Sequence, residues 1–192
     1  MPRAFIAIEI PAEIKKTIAA QTAALRSEQA QNLRWVSSEN MHLTLKFLGE
    51  FSQENLERMF QEMQQEAAQV SPFEIASGGL GCFPNPRQAR VLWIGLRAPA
   101  VLGKLVSRLD AAAARLGCLL EERPFTAHLS IGRVKEGLPA QELTRLQTSM
   151  AVHPVGETGR FMVENLTLFR SELRPQGSLY TPLNHARLGE PL

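Results

Sequence analysis

The sequence predicts an α+β fold made of two similar lobes that face each other, each a largely antiparallel sheet with helices packed outside it. The order strand, helix, strand, helix occurs once in each half of the chain, which favours two related lobes. A long-looped hairpin and two terminal strands favour antiparallel pairing over a doubly wound parallel sheet. The 192 residues are 44% hydrophobic, so we expect one domain over residues 1–192 with a sizeable core.

The first half of the chain begins with a strand. Residues 4–10 are rich in Ile and Phe and stop before a proline, which is typical of a strand. Residues 12–30 carry apolar side chains at helical spacing, and residues 41–48 alternate as a second strand that ends at a glycine. A further helix is predicted from Ser52, a suitable N-cap, with acidic residues early in the helix where its dipole favours them.

The second half repeats this order. Residues 73–80 and 90–96 are predicted strands on either side of a turn-rich segment, and residues 99–116 form a helix that ends near a glycine. Residues 125–134 are predicted to form the next strand. The remaining elements are a weaker helix near 140–147 and strands near 160–169 and 179–186.

The charge is small overall and uneven along the chain. A net charge of +2 excludes a protein that coats duplex nucleic acid through many phosphate contacts, whereas a pI of about 8.7 allows a local basic site. Residues 1–83 carry a net charge of −3, residues 84–135 carry +6 and residues 136–192 carry −1. We expect most individual arginines of the middle segment to lie on solvated helix faces.

Cysteine content and hydropathy indicate the compartment. Cys82 and Cys118 have no spacing typical of a disulfide framework or a zinc site, and both are expected to be small apolar residues in a reducing compartment. The apolar N-terminal run is too short for a signal peptide, and no run is long enough to span a bilayer. The sequence therefore predicts a soluble, cytoplasmic protein without a membrane partner, and we expect a monomer.

Two of the four histidines occur in the same short frame. Residues 42–45 read His-Leu-Thr-Leu and residues 128–131 read His-Leu-Ser-Ile. Because side chains alternate along a strand, the imidazole and the hydroxyl of each motif share one face while the apolar residues pack on the other. If the two strands face each other across a cleft, four polar groups converge there.

These groups favour one kind of chemistry. Two imidazoles with a pKa of about 6.5 are a natural pair when one group takes a proton and the other gives one. Hydroxyl groups such as those of Thr44 and Ser130 donate hydrogen bonds to phosphoryl oxygens without adding charge. The motifs therefore predict metal-independent cleavage of a phosphodiester, in which one histidine activates water and the other protonates the leaving oxygen.

With their surroundings, the motifs resemble the two-histidine (2H) phosphoesterases, and among them the RNA 2',3'-cyclic phosphodiesterase family, which is LigT-like and was formerly described as 2'-5' RNA ligase. The resemblance extends over nearly the whole chain and rests on the order and spacing of its segments. Those segments are residues 5–8, 35–36, 40–49, 91–95, 123–133 and 180–183.

The resemblance implies a bilobal fold with one motif per lobe, and an enzyme that opens the 2',3'-cyclic phosphate of RNA or oligonucleotide ends to a 2'-phosphomonoester without a cofactor. It makes His42 the proton donor and His128 the proton acceptor. It assigns phosphate binding to Thr44 and Ser130, although threonine is commoner at the second position. The reverse reaction, 2'-5' RNA ligation, would use the same acid and base.

Two charged residues near the motifs are weaker candidates. Arg133 lies five residues after His128, so strict alternation would place it on the opposite face, but Gly132 is a suitable site for a bulge that returns it. The resemblance favours a contact between Arg133 and phosphate or nucleotide, and the alternative is a solvent-exposed arginine. Lys46 shares the parity of His42, but a lysine near a strand end usually extends to water.

Aromatic residues and the other histidines complete the set of candidates. Phe125, beside the second motif, is the first candidate for stacking on a base, and Phe47 and Trp35 are others. Trp93 lies in an apolar strand and is expected in the core. For His153 and His185 we expect surface or structural roles.

Two other functions compete with catalysis by the paired histidines. A binding module could hold a nucleotide or RNA end in the same cleft without turnover, although Arg, Lys or backbone amides would suit that task better. A metal site at His42 and His128 is less favoured, because no carboxylate or cysteine lies at ligand spacing beside either residue.

Overall fold

The structure is a computed structural model and describes residues 3–175 and 177–190. Its strands are β1 (Arg3–Glu9), β2 (Leu33–Trp35), β3 (His42–Glu50), β4 (Phe73–Phe83), β5 (Val91–Arg97), β6 (His128–Val134), β7 (Glu157–Val163), β8 (Asn165–Arg174) and β9 (Gly177–Arg187). Its α-helices are α1 (Ala12–Gln21), α2 (Ala23–Glu28), α3 (Gln53–Ala68), α4 (Ala100–Arg115) and α5 (Ala140–Val152).

The strands form two antiparallel sheets. The first sheet has the order β3-β1-β8-β9, and the second has the order β2-β6-β5-β4-β7. Every strand pairing within them is antiparallel. The predicted α+β class with two antiparallel sheets is therefore confirmed, and each sheet contains one of the two histidine motifs.

The two sheets repeat the same local order. In the first sheet the motif strand β3 lies beside β1, and β8 lies on the other side of β1. In the second sheet the motif strand β6 lies beside β5, and β4 lies on the other side of β5. Helical segments lie between β1 and β3 in the chain, and α4 lies between β5 and β6. The two sheets therefore share the repeated order of strand, helix and strand that the sequence predicts.

Several predicted boundaries differ from the structure. The predicted helix 12–30 is divided into α1 and α2 at Thr22, whose hydroxyl donates to the carbonyl of Ile18 (2.7 Å) and competes with the regular helical pattern. The three-residue strand β2 was not predicted, because so short a segment shows no periodicity. The predicted strand 160–169 is the end of β7 and the start of β8, which are separated at Glu164.

The buried face of each sheet joins one continuous core. Ile6 and Leu43 from the first sheet and Ile94 and Leu129 from the second are fully buried and belong to the same cluster as apolar residues of the helices. The opposite face of the first sheet carries a separate apolar cluster of Phe5, Ala7 and Phe169, with Tyr180 against it. Among residues 3–175 and 177–190, every helix is too short or too polar to traverse a lipid bilayer.

Candidate active site

The two motif strands lie against each other although they belong to different sheets. β3 and β6 are in contact, and residues 36–41 carry the chain from β2, beside β6, to β3. The backbone N–H of Val36 donates to the carbonyl of Ile131 (2.9 Å), which ties this connection to β6. His42 and His128 are the first residues of these two strands.

Both imidazoles are held in the same way. Nδ1 of His42 lies 2.8 Å from the carbonyl oxygen of Asn40, and Nδ1 of His128 lies 2.7 Å from the carbonyl oxygen of Thr126. Since a carbonyl oxygen only accepts, each Nδ1 carries the hydrogen. Each Nε2 is then left to accept a proton when the ring is neutral, or to donate one when the ring is charged.

His42 lies among aromatic rings. It is stacked on Phe5, with 4.7 Å between centroids, and the ring of Tyr180 lies perpendicular to it with 5.1 Å between centroids. Burial lowers the pKa of His42, and the nearby ammonium of Lys15 lowers it further, whereas the hydrogen bond to Asn40 opposes both effects. Lys15 belongs to α1 and donates to the carbonyl of Glu39 (3.3 Å), and no sequence signal marks it as a site residue.

His128 has a matching aromatic environment in the second sheet. The ring of Phe83 lies nearly perpendicular to it with 4.9 Å between centroids, and the centroid of the Trp93 ring lies 6.4 Å away. The expectation that Trp93 is a core residue is wrong: it pairs with Ser130 on the face of the second motif, and its ring covers Gly81 so closely that a Cβ there would overlap it. Gly81 thus leaves the space that Trp93 occupies beside the second motif.

Each motif strand carries a bulge at the fourth residue of its motif. On β3 the partner of Thr44 is Ala7 and the partner of Lys46 is Ile6, so Leu45 is the extra residue. On β6 the partners of Ser130 and Gly132 are Trp93 and Leu92, so Ile131 is the extra residue. The first six residues of the two strands have the same order of half-buried, buried and exposed positions. The residue after each motif, Lys46 or Gly132, therefore faces the core. The next residue, Phe47 or Arg133, lies on the face of the histidines.

The bulge on β3 corrects the parity argument for Lys46. Its side chain points to the helix side, is only 7% exposed, and forms an ion pair with Asp110 of α4. It also donates to the carbonyl of Leu119 (2.7 Å). Lys46 therefore holds α4 against the sheet. Phe47, 66% exposed, occupies the site face instead, where its ring centroid lies 6.0 Å from that of Phe5.

The bulge on β6 places Arg133 on the face of His128 and Ser130. Arg133 pairs with Val91, which alternates on β5 with the partners of Ser130 and His128, and its side chain is exposed. Strict alternation would place Arg133 on the opposite face, so its position here depends on the bulge next to Gly132.

The remaining candidates pack against the core or contact side chains outside the two motifs. Phe125 is half-buried and packs against the main core, so Phe47 offers a more exposed ring for stacking. Trp35 also packs against the core, with the guanidinium of Arg26 4.7 Å above its ring.

The two other histidines contact side chains outside the motifs. His153 contacts the carboxylate of Glu28 through Nε2 (2.7 Å), and His185 contacts the hydroxyl of Thr167 (3.0 Å). In the described part of the chain, no three His, Cys, Asp or Glu side chains are grouped as metal ligands.

The chain matches one family model twice. The model, described as LigT-like phosphoesterase, matches residues 8–93 and residues 94–180, and each match contains one histidine motif. The two matches together cover most of the chain, and each contains one motif strand with the helix that precedes it.

Several relatives carry the same name, RNA 2',3'-cyclic phosphodiesterase. The relative from Methanothermobacter thermautotrophicus is 34% identical over 186 residues, which cover 97% of this chain and 98% of the relative. The relative from Escherichia coli is 31% identical over 182 residues, which cover 94% of this chain and 93% of the relative.

Solved structures show the same fold. A crystal structure of a Thermus thermophilus protein superposes with a TM-score of 0.78 at 29% identity, covering 97% of this chain and 98% of that one. The structure of Escherichia coli LigT complexed with 3'-AMP superposes with a TM-score of 0.77 at 28% identity, covering 99% and 100% of the two chains.

Proposed function

The chain belongs to the LigT-like phosphoesterase family, and from this membership we propose that it hydrolyses the 2',3'-cyclic phosphate of RNA ends to a 2'-phosphomonoester. The observation that carries the proposal is the matched pair of imidazoles, each held by a carbonyl at Nδ1 at the start of two contacting strands. Relatives named for this activity, and a LigT structure that contains 3'-AMP, support the substrate class.

The proposed reaction needs one base and one acid. Nε2 of His128 takes a proton from water as the water oxygen forms a bond to phosphorus. The bond between phosphorus and the 3'-oxygen breaks, and that oxygen takes the proton from Nε2 of His42. The products are a 2'-phosphate and a 3'-hydroxyl, and the two histidines have exchanged protonation states. If a 5'-hydroxyl attacks in place of water, the same groups give a 2'-5' linkage.

Three further side chains are assigned to the phosphate. Thr44 and Ser130 share the faces of their histidines, and their hydroxyls can donate to the non-bridging oxygens. Arg133 adds a positive charge on the face of Ser130, where it would stabilise charge that develops on the phosphoryl group. Phe47, rather than Phe125, is the proposed stacking surface for the terminal base, because its ring is exposed beside Phe5.

We propose that these parts act within a single domain over residues 1–192. One cluster of buried side chains contains residues from both sheets, which favours a common rigid support for the two motifs. The binding-module alternative would use the same cleft, and it differs only in showing no turnover.

Identification of the product tests the proposed function. Incubation with a short RNA that ends in a 2',3'-cyclic phosphate, in buffer with EDTA, is expected to give a 2'-phosphate only. The products are separated by chromatography against 2'- and 3'-phosphate standards. A 3'-phosphate product, or loss of turnover that follows chelation and returns with added metal, would contradict the mechanism. Tight binding of 2'-phosphate ends without turnover would favour the binding module.

The pH dependence of kcat/KM is expected to reflect the burial of His42. Activity requires charged His42 and neutral His128, so kcat/KM falls as the pH rises and His42 loses its proton. Because burial and Lys15 lower the pKa of His42, the descending limb of the profile should lie at lower pH than it would with an unburied imidazole at position 42. Lys15→Gln removes one of the lowering effects and should shift the limb to higher pH.

Lys16→Gln is the matched control for this shift. Lys16 is the next residue of α1, is exposed, and pairs with Glu13 on the helix surface (2.9 Å). The limbs belong to the coupled pair of histidines, so whole profiles are compared between variants. Equal shifts in the two variants, or no shift in Lys15→Gln, would show that Lys15 does not act on the acid.

A further inference from the structure

Two arginines lie directly opposite each other on neighbouring strands of the second sheet. Arg34 of β2 pairs with Arg133 of β6 in the antiparallel register. Side chains of directly opposed residues share one face of a sheet. The neighbours of Arg34 on β2, Leu33 and Trp35, pack against the core. Arg34 therefore points away from the core, to the face that carries the second motif.

This arrangement is unfavourable for the protein alone. Like charges directly opposite on paired strands destabilise a sheet. Other exposed arginines reduce such costs by ion pairing, as Arg115 does with Glu62 and Arg97 with Glu157. Within residues 3–175 and 177–190, neither Arg34 nor Arg133 has a carboxylate at ion-pair distance. Both side chains are exposed, so the pair is suited to an anionic ligand.

The position of the pair indicates which anion. Arg133 lies on the strand of His128 and is assigned above to the reacting phosphate. Arg34 lies one strand further out, at a spacing of about 4.8 Å, on the edge strand. On an RNA strand, the phosphate nearest to a terminal 2',3'-cyclic phosphate is the 5'-phosphate of the same nucleotide, one ribose away. A second guanidinium beside the first matches two neighbouring phosphates.

We propose that Arg34 binds the 5'-phosphate of the terminal nucleotide, which in RNA is the last internal phosphodiester. Arg34 would thereby give the site a preference for oligonucleotide ends over nucleoside 2',3'-cyclic phosphates. The inference rests on the proposed function, since it places a cyclic phosphate at the two motifs. Arg34 belongs to residues 1–83, which carry a net negative charge. Its pairing with Arg133 nevertheless adds it to the basic region formed by residues 84–135.

Three substrates test the inference in the wild-type enzyme and in Arg34→Gln. They are adenosine 2',3'-cyclic phosphate, the same nucleotide with a 5'-phosphate, and a dinucleotide that ends in a 2',3'-cyclic phosphate. The variant is expected to have an unchanged KM for the first and a KM raised about tenfold for the other two, as for the loss of a charged hydrogen bond. The thermal midpoint should not fall, because a like-charge neighbour has been removed.

Arg58→Gln serves as the charge-matched control. Arg58 is an exposed arginine of α3 that pairs with Glu54 (2.8 Å), so its replacement removes the same charge away from the strand pair. It is expected to leave all three KM values unchanged. An effect of Arg34→Gln on all three substrates alike, on none of them, or on the dinucleotide alone would overturn the inference.

Binding measurements separate this inference from the proposed function. For a short single-stranded RNA with a 2'-phosphate end, the dependence of log Kd on log salt should be weaker by roughly 0.7 in Arg34→Gln, which corresponds to one phosphate contact. If the wild type hydrolyses no cyclic phosphate, the proposed function fails, and the salt slope still tests Arg34. An unchanged slope would overturn the contact with the second phosphate.

Discussion

His128→Ala is expected to lower kcat for a cyclic-phosphate RNA end by about two to four orders of magnitude, the usual contribution of a positioned general base. Nδ1 of His128 is held by the carbonyl of Thr126, so Nε2 is the nitrogen available to water. Without it, water must attack the phosphate unactivated. The hydroxyls and Arg133 would remain, which explains why some rate enhancement should persist. Single-turnover hydrolysis measures the chemical step without product release.

The control for this variant is another histidine outside the site. His153 directly follows α5 and contacts Glu28. The variant His153→Ala therefore removes an imidazole that lies outside both motifs. Its kcat is expected to equal that of the wild type. Near wild-type turnover in His128→Ala, with an unchanged thermal midpoint, would contradict the assignment of the base.

The polar pair within each motif could be predicted because it depends only on local geometry. An imidazole and a hydroxyl two residues apart share a face on any regular strand. Beyond the fourth residue of the motif, local alternation fails, because the bulges at Leu45 and Ile131 are set by the register with β1 and β5. Gly132 gave a local indication of the second bulge. No comparable residue marks the first bulge, so strict alternation predicts the wrong face for Lys46.

The aromatic environment of the site shows a second limit of sequence-based prediction. Trp93 occupies an apolar strand, and an apolar side chain on the site face has the same pattern as one in the core. Tyr180 contacts His42 from β9, and the charge of Lys15 acts on it from α1, so both effects depend on tertiary packing. The pairing of Arg34 with Arg133 depends in the same way on β2, a strand too short to predict.

His42→Ala is expected to lower kcat to a similar extent on the natural substrate, about two to four orders of magnitude. The cause differs from that for His128, because the acid assists departure of the 3'-oxygen rather than attack by water. A substrate in which sulfur replaces the bridging 3'-oxygen distinguishes the two roles. A thiolate is a much weaker base than an alkoxide, so it leaves without protonation.

The two variants should therefore respond differently to the sulfur substrate. Most of the defect of His42→Ala is expected to disappear, whereas the defect of His128→Ala should remain, since water still requires a base. The pattern reverses if the roles are exchanged, with His42 as the base and His128 as the acid. Equal defects on both substrates in both variants would contradict acid–base catalysis by the pair and would assign the imidazoles to phosphate binding. The two rings make the same hydrogen bond through Nδ1, to Asn40 and to Thr126, so these contacts do not distinguish the acid from the base. The comparison of the two substrates thus decides the direction of proton transfer.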